Sequence, residues 1–345
     1  MDRQLIHTQQ SLILSDSRRF RWVQLSLDNL STQRTARSIR EALHRLPGTL
    51  RETYANILER ITPSDWIFVR RALFWLSFAY RPLTLAELGE AVVIDLSSRV
   101  LDDDMRLVSP QILLQISQGL ITQDRSGNVG LTHSSVRDFL TSRWIRTSRV
   151  QYFSLDPSIA NQIIMRSCLA YLCLDNFQSG YVSSRELSWQ RLESHPFLEY
   201  AAQFWALHGK SCTFSGRDWQ LVRRLFSSRS LPRRGNFGVW VQTLIPDVAI
   251  AKIEATQPLY YAASFGLVQV VKDILASDPD LDIDAAGGRL AVSPLLIACW
   301  RRNYEVADIL VQAGADTNFT DKGMRLSARQ LTLNDGHVFP PGRES

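Results

Sequence analysis

Two stretches near the C-terminus repeat each other, and that repeat constrains the fold more than any composition can. PLYYAASFGLVQVVKDIL begins at Pro258 and PLLIACWRRNYEVADIL begins at Pro294, a period of 294 − 258 = 36 residues. Leu259/Leu295, Ala262/Ala298, Val270/Val306 and Ile274/Leu310 fall in register. A period of this length marks a supersecondary unit that cannot bury its apolar face alone and must stack on its neighbours.

The residue types inside the unit have local reasons. Ser293 is placed to cap a helix with Pro294 at its first position, and Ala298 lets paired helices approach. Gly314 suits the left-handed residue that ends a helix, and it opens GADTN, Gly314 to Asn318. The pattern resembles the ankyrin repeat, whose consensus runs T-P-L-H-x-A-A, then G-H, V-V, L-L and G-A-D. Two departures stand out: Arg302 occupies the position usual for Gly, and the loop from Asp280 to Ser293 is long, so the two repeats are expected to stack imperfectly. A third, decayed unit is expected beyond them, with Ala328, Leu331 and Gly336-His337 in phase, as a polar cap. So short an array buries little surface, and residues 240 to 340 are expected to lean on the helical region before them.

Upstream, capping signals divide the chain. Apolar spacing permits helices from Phe20 to Leu30 and from Thr32 to Leu46, stopped by Pro47-Gly48. Thr49-Leu50-Arg51-Glu52 and Thr84-Leu85-Ala86-Glu87 read as capping boxes, each opening a helix. Between them, Val69, Ala72, Leu73 and Leu76 predict a helix over roughly 65–78, and another is expected near Pro110 to Gln118. Leu120 to Gln123 and Val129 to Thr132 flank the turn-rich Asp124-Arg125-Ser126-Gly127-Asn128, which predicts a hairpin, and a helix follows from Ser135. Short helices with a terminal hairpin are the parts of a winged helix, placed at 65–148. From Ser158 to about Arg229 the pattern is helical again, and the Ser-Arg-Gly-rich stretch from Ser227 to Gly238 reads as a linker.

The expected fold class is therefore mainly α: a helical bundle plus a winged helix with a small β-hairpin wing, followed by a short ankyrin solenoid. The expected segments are a residual N-terminal stretch (1–19), a helical domain (20–64), the winged helix (65–148), a second helical region (149–232), a linker or helical cap (233–257) and ankyrin repeats (258–345). With 45% hydrophobic and 21% charged residues over 345 positions, the chain has the composition of a multidomain globular protein.

Composition also narrows the chemistry. Cys168, Cys173, Cys212 and Cys299 form no C-x-x-C pair and no metal is expected. No long apolar run or leader pattern is read, so a cytoplasmic location without membrane contact is expected. Of the 39 basic residues only Lys210, Lys252, Lys272 and Lys322 are lysine, and the net charge of +5 is spread along the chain, a weak footprint for nucleic acid. A winged helix nevertheless makes a nucleic-acid-binding protein the alternative reading; it would require a basic recognition helix, which the 110–118 stretch lacks. Nucleic acid is therefore not the expected partner. No G-x-S-x-G, H-E-x-x-H or phosphate loop is present, and no enzymatic activity or cofactor is expected. The one G-K-S, Gly209-Lys210-Ser211, has Phe204 where a phosphate loop needs its first glycine.

The ordered phrases RFRWVQLSLDNL, LPGTLRETYANIL, LFWLSFAYRPLTLAELGEAV, GLITQDRSGNVGLTHSSVRDFL and HPFLEYAAQFW resemble the segment that follows the nucleotide-binding domain in fungal NACHT and ankyrin receptors. The middle part is similar to the winged-helix segment named after GPI inositol-deacylase. This resemblance implies a STAND-type, NLR-like switch in which an ATP/ADP-binding NACHT core, not found in these residues, is gated by the helical and winged-helix parts while repeats sense a partner. It also implies that His133, in LTHSSVRDFL, contacts the β-phosphate of bound ADP when such a core is present; the competing reading is a histidine packed at the end of the wing. For the repeats, the expected function is protein binding through the ankyrin groove, with Tyr260, Phe265, Trp300 and Arg301 as the anchors.

Overall fold

In a computed structural model the described residues are 49–101 and 103–318, with Thr35 and Ala328. The expected segment 1–19, the two helices expected before Pro47, and Leu331 and Gly336-His337 of the decayed unit lie outside them. The described chain is mainly helical with one three-stranded sheet, and it divides into two units: residues up to 92 with 107–157, and residues 93–106 with those from 158 onward.

The first unit begins with α1 (Leu50–Glu59), capped by Thr49, whose hydroxyl accepts the Glu52 N–H at 3.3 Å. Tyr54, Ala55 and Leu58 line its buried face. Next come α2 (Trp66–Phe78), β1 (Leu83–Thr84) and α3 (Leu85–Ala91). The Thr84 box is complete: its hydroxyl accepts from the Glu87 N–H and the Glu87 carboxylate accepts from the Thr84 N–H at 2.7 Å. That same carboxylate takes two hydrogen bonds from Arg81, at 2.9 and 2.6 Å, so one buried acid fixes both the helix start and the preceding turn.

Then follow α4 (Ile112–Ile116), β2 (Ile121–Gln123), β3 (Asn128–Leu131) and α5 (Ser134–Leu140). The expected hairpin is present, pairing Ile121 with Leu131 and Gln123 with Val129. Its turn is held by the Asp124 carboxylate, which accepts from the N–H groups of Ser126 and Asn128 at 2.8 and 3.0 Å. The sequence gives no hint of β1, which pairs antiparallel with β3 and makes the sheet order β1-β3-β2. Helix, strand, two helices and a two-stranded wing in that order make a winged helix.

In the second unit, α6 (Ala160–Leu172) and α8 (Leu198–Gly209) pack together, with α7 (Arg185–Ser194) before α8 and α9 (Gly216–Ser227) after it. Burial alone would raise the Asp218 carboxyl, but Arg166 at 2.5 Å and the Ser215 N–H and hydroxyl, both at 2.7 Å, hold it down at about 2. Asp218 is thus both the capping partner of α9 and the ion pair that ties α9 to α6. His208 is buried in α8 between Asn161, whose Oδ1 accepts from Nδ1 at 2.9 Å, and Tyr200, whose hydroxyl is 3.0 Å from Nε2.

The stretch expected to be a linker is instead built into the interior. Ser227 to Gly238 runs through two 3₁₀ turns into α10 (Gly235–Leu244), and Phe237 and Trp240 are 0% exposed. The Trp240 ring lies 5.5 Å from Trp205 of α8, 5.9 Å from Phe226 of α9 and 5.6 Å from Phe237, and its indole N–H donates to the Ala202 carbonyl at 3.0 Å. After α11 (Ile250–Ala255) come the two repeats: α12 (Pro258–Phe265) with α13 (Val268–Ser277), and α14 (Pro294–Trp300) with α15 (Tyr304–Gln312). Trp240 stands 5.1 Å from Tyr261 of α12, so one indole touches both the helical region and the first repeat. The Arg234 guanidinium adds hydrogen bonds to the carbonyls of Glu254 and Thr256, and Arg223 pairs with Asp273. The repeats do lean on the helices before them.

The repeats pack closely, α12 on α14 and α13 on α15, with Leu259, Ala262, Leu295 and Ala298 buried. The long loop does not prise them apart. It folds into a finger closed by the Gly287–Val292 bridge, while the Asp284 carboxylate accepts the Asp316 N–H of the corresponding loop at 3.1 Å. Ser293 caps α14 as expected, accepting from the Leu296 N–H.

Two outcomes follow for stability. Trp240→Ala should destabilise the second unit by about 3–5 kcal/mol, measured by denaturant melts, and amide exchange should rise in α12 and in α8 together. Burial pushes the His208 imidazole down to about 4. Its folded value lies below the ordinary one, so the unfolded chain takes up the proton first. Stability is then full above about pH 6.5 and falls as pH drops toward 4. Melts at about pH 7 and about pH 4.5 should show this fall, and His208→Gln should be less stable at the higher pH yet lose less on acidification.

Candidate interaction cleft

Where α12 and α14 meet the ends of α8 and α10, the chain leaves a cleft of about 610 Å³. Its walls come from Leu207 and Lys210 at the end of α8, from Leu244, Ile245 and Pro246 at the end of α10, and from Tyr260, Tyr261, Ser264 and Phe265 of α12. The finger contributes Arg289 and Leu290, and the second repeat contributes Ile297, Arg301 and Asn303.

Asn303 organises one side. Its amide donates to the carbonyls of Ala263 and Ser264 at 3.0 and 2.9 Å, satisfying the open end of α12, while its Oδ1 accepts from the Lys210 ammonium at 2.9 Å. Each repeat turns between its helices on a left-handed residue: Gly266 at φ +70° in the first and Arg302 at φ +57° in the second. Position 302, noted as a departure in sequence, therefore keeps the geometry of glycine while carrying a Cβ.

The cleft is apolar at its walls and positively charged. Lys210, Arg289 and Arg301 line it and no carboxylate does. Arg289 approaches Asp247 at 3.4 Å, but both side chains are more than half exposed and such a pair contributes little. Burial pushes the Tyr260 phenol up to about 12, although Arg301 opposes the shift, and burial together with Tyr260 pushes Tyr261 up as well. Both phenols therefore stay protonated and able to donate. The Tyr261 hydroxyl has no hydrogen-bond partner among the described residues.

Three of the four residues expected to anchor a partner thus share one cleft: Tyr260, Phe265 and Arg301. Tyr260 is only 5% exposed, packed against Gly287 and Gly288, and serves as wall instead of projecting anchor. Trp300 is 41% exposed and is not part of the lining. Lys210 and Asn303 were not among the sequence candidates. The rarity of lysine in this arginine-rich chain was the available signal for the first; nothing in the sequence marks the second.

His133, in the other unit, is the N-cap of α5. Its Nδ1 accepts the Ser135 N–H at 3.1 Å and lies 2.7 Å from the Ser135 hydroxyl, itself 2.8 Å from the Tyr54 hydroxyl. The helix in the recognition position, α4, is five residues long and carries no Arg or Lys. Among the described residues no cluster of potential metal ligands occurs, and no helix is long and apolar enough to cross a membrane.

Residues 66–156 match the family described as GPI inositol-deacylase, winged helix domain, and residues 292–322 match the ankyrin repeat. The chain carries a winged-helix domain and an ankyrin repeat. The winged-helix match begins at α2 and ends beyond α5, and the ankyrin match covers the second repeat. A fungal relative, "Azaphilone pigments biosynthesis cluster protein L" of Monascus ruber, is 28% identical over 299 residues, covering 79% of this chain. The match spans 61% of that relative's length. No solved structure matches the chain.

At the turn, Arg302→Gly should be more stable than Arg302→Ala by about 0.5–1 kcal/mol, because both lose the arginine's own contacts while glycine alone escapes a left-handed Cβ penalty of about 1–2 kcal/mol, partly offset by its greater freedom when unfolded. Thermal melts of the two chains would show it.

Proposed function

We propose that this chain is a non-enzymatic regulatory and protein-interaction module of a STAND-type, NLR-like receptor, acting in the cytoplasm, with its ankyrin repeats holding a partner protein. The observation that carries the reading is the convergence of Tyr260, Phe265 and Arg301 on one cleft, with exposed Trp300 next to Arg301 on the same repeat. Aromatic and arginine side chains of this kind are the usual energetic centres of interfaces. The winged-helix domain ahead of the repeats supports the switch part of the proposal.

His133 enters this reading only in company with a nucleotide-binding core. Its Nδ1 is engaged in capping α5, and among the described residues its Nε2 has no partner, which suits donation to a phosphate. The nucleic-acid reading draws no support from α4, which is apolar and short.

Affinity capture with the tagged full chain, followed by the Trp300→Ala, Arg301→Ala double variant, tests the partner role. The expected result is recovery of a specific protein whose capture drops about tenfold or more in the variant, since an exposed tryptophan and its neighbouring arginine at an interface each contribute about 1–2 kcal/mol. Undiminished capture by a variant with an unchanged melt removes the repeats as the binding surface.

A further inference from the structure

The cleft has a chemical preference that goes beyond a generic partner surface. Three cations from three different segments, Lys210, Arg289 and Arg301, converge on it without a carboxylate among the lining residues. Lys210 is bound to an amide oxygen and not to an acid, and Arg301 has no charged partner among the described residues. Low-dielectric walls concentrate the field of such cations toward the recess they border. Between them lie Leu244, Ile245, Phe265, Leu290 and Ile297, a surface that gains free energy only when apolar material covers it.

Shape separates the occupants. An acidic peptide would need a groove running along the repeats, whereas here five chain segments border one half-open recess of about 610 Å³, inside the usual range for clefts that hold small organic molecules. The Tyr260 and Tyr261 rings, 5% and 3% exposed, form part of its wall.

We propose that the cleft between the helical region and the first ankyrin repeat binds a small amphipathic organic anion, a carboxylate, sulfonate or phosphate carried on an apolar, aromatic-sized body. Arg289, Arg301 and Lys210 hold the anionic head, and the Phe265 and Ile297 side holds the body. The assignment does not rest on a protein partner being bound by the repeats.

Fluorescence titration of the full chain with 1-anilinonaphthalene-8-sulfonate and with its uncharged counterpart N-phenyl-1-naphthylamine tests it. The expected result is one saturable site that takes the sulfonate about fivefold or more tighter than the amine at low salt, the gap narrowing as salt rises. Arg301→Gln should weaken the sulfonate about fivefold and leave the amine unchanged. Ser264→Trp, which fills the cleft, should abolish both, and Trp189→Ala, an exposed tryptophan on α7, should alter neither. Equal affinity for the two probes, or unchanged binding by a folded Ser264→Trp chain, overturns the proposal. So does a glutamate-rich peptide that displaces the sulfonate and binds more tightly than it does, which would assign the cleft to a protein segment. Arg301 enters both tests, but Trp300 lies outside the cleft lining and is read only by partner capture, while Ser264 is read only by the probes, so either reading can fail alone.

Discussion

The second unit depends on one buried indole. Trp240 is packed by Trp205, Phe226, Phe237 and Tyr261, which come from four helices on both sides of the boundary between the helical region and the repeats. Two ankyrin units alone expose an apolar flank that a longer array would cover with another copy. Here α10 supplies that cover; the hydrogen bonds of Arg234 tie its start to the turn before α12, and the ion pair of Arg223 ties α9 to α13. The cleft is a consequence: it opens where the ends of α8 and α10 stop short of the inner helices of the repeats.

What could be read from the sequence was what depends on near neighbours in the chain. The Thr84–Glu87 box, the Ser293–Pro294 start and the Asp124–Asn128 turn are made by residues within a few positions of one another, so their types suffice. β1 was hidden because two residues carry no periodicity, and Leu83 becomes a strand only by pairing with Val129. α10 was hidden for a different reason. Its two glycines look like linker residues, yet Gly238 has no Cβ because the Arg233 carbonyl passes where one would sit. Glycine there reports close packing, and Phe237, Val239, Trp240 and Val241 were the apolar counter-signal.

The cleft was legible in part. Tyr260, Phe265 and Arg301 follow from the repeat pattern, which says which helix lines the concave side. Lys210, Arg289 and Asn303 do not, since their convergence is decided by how α8 and the finger meet the repeats. Asn303 shows the limit well: an amide in the place of a common histidine position looks like drift, but it satisfies two carbonyls of the neighbouring helix and orients a lysine.

The cap on α5 bears on how the wing can be dissected. One nitrogen of His133 is committed to the helix start, so replacing the ring with alanine deletes a structural contact along with any reach toward a phosphate. Asparagine is among the best N-cap residues and offers an oxygen in nearly the same place, but it lacks the second ring nitrogen. A pair of chains, His133→Ala and His133→Asn, therefore separates architecture from signalling at a position where a single knockout would confound them.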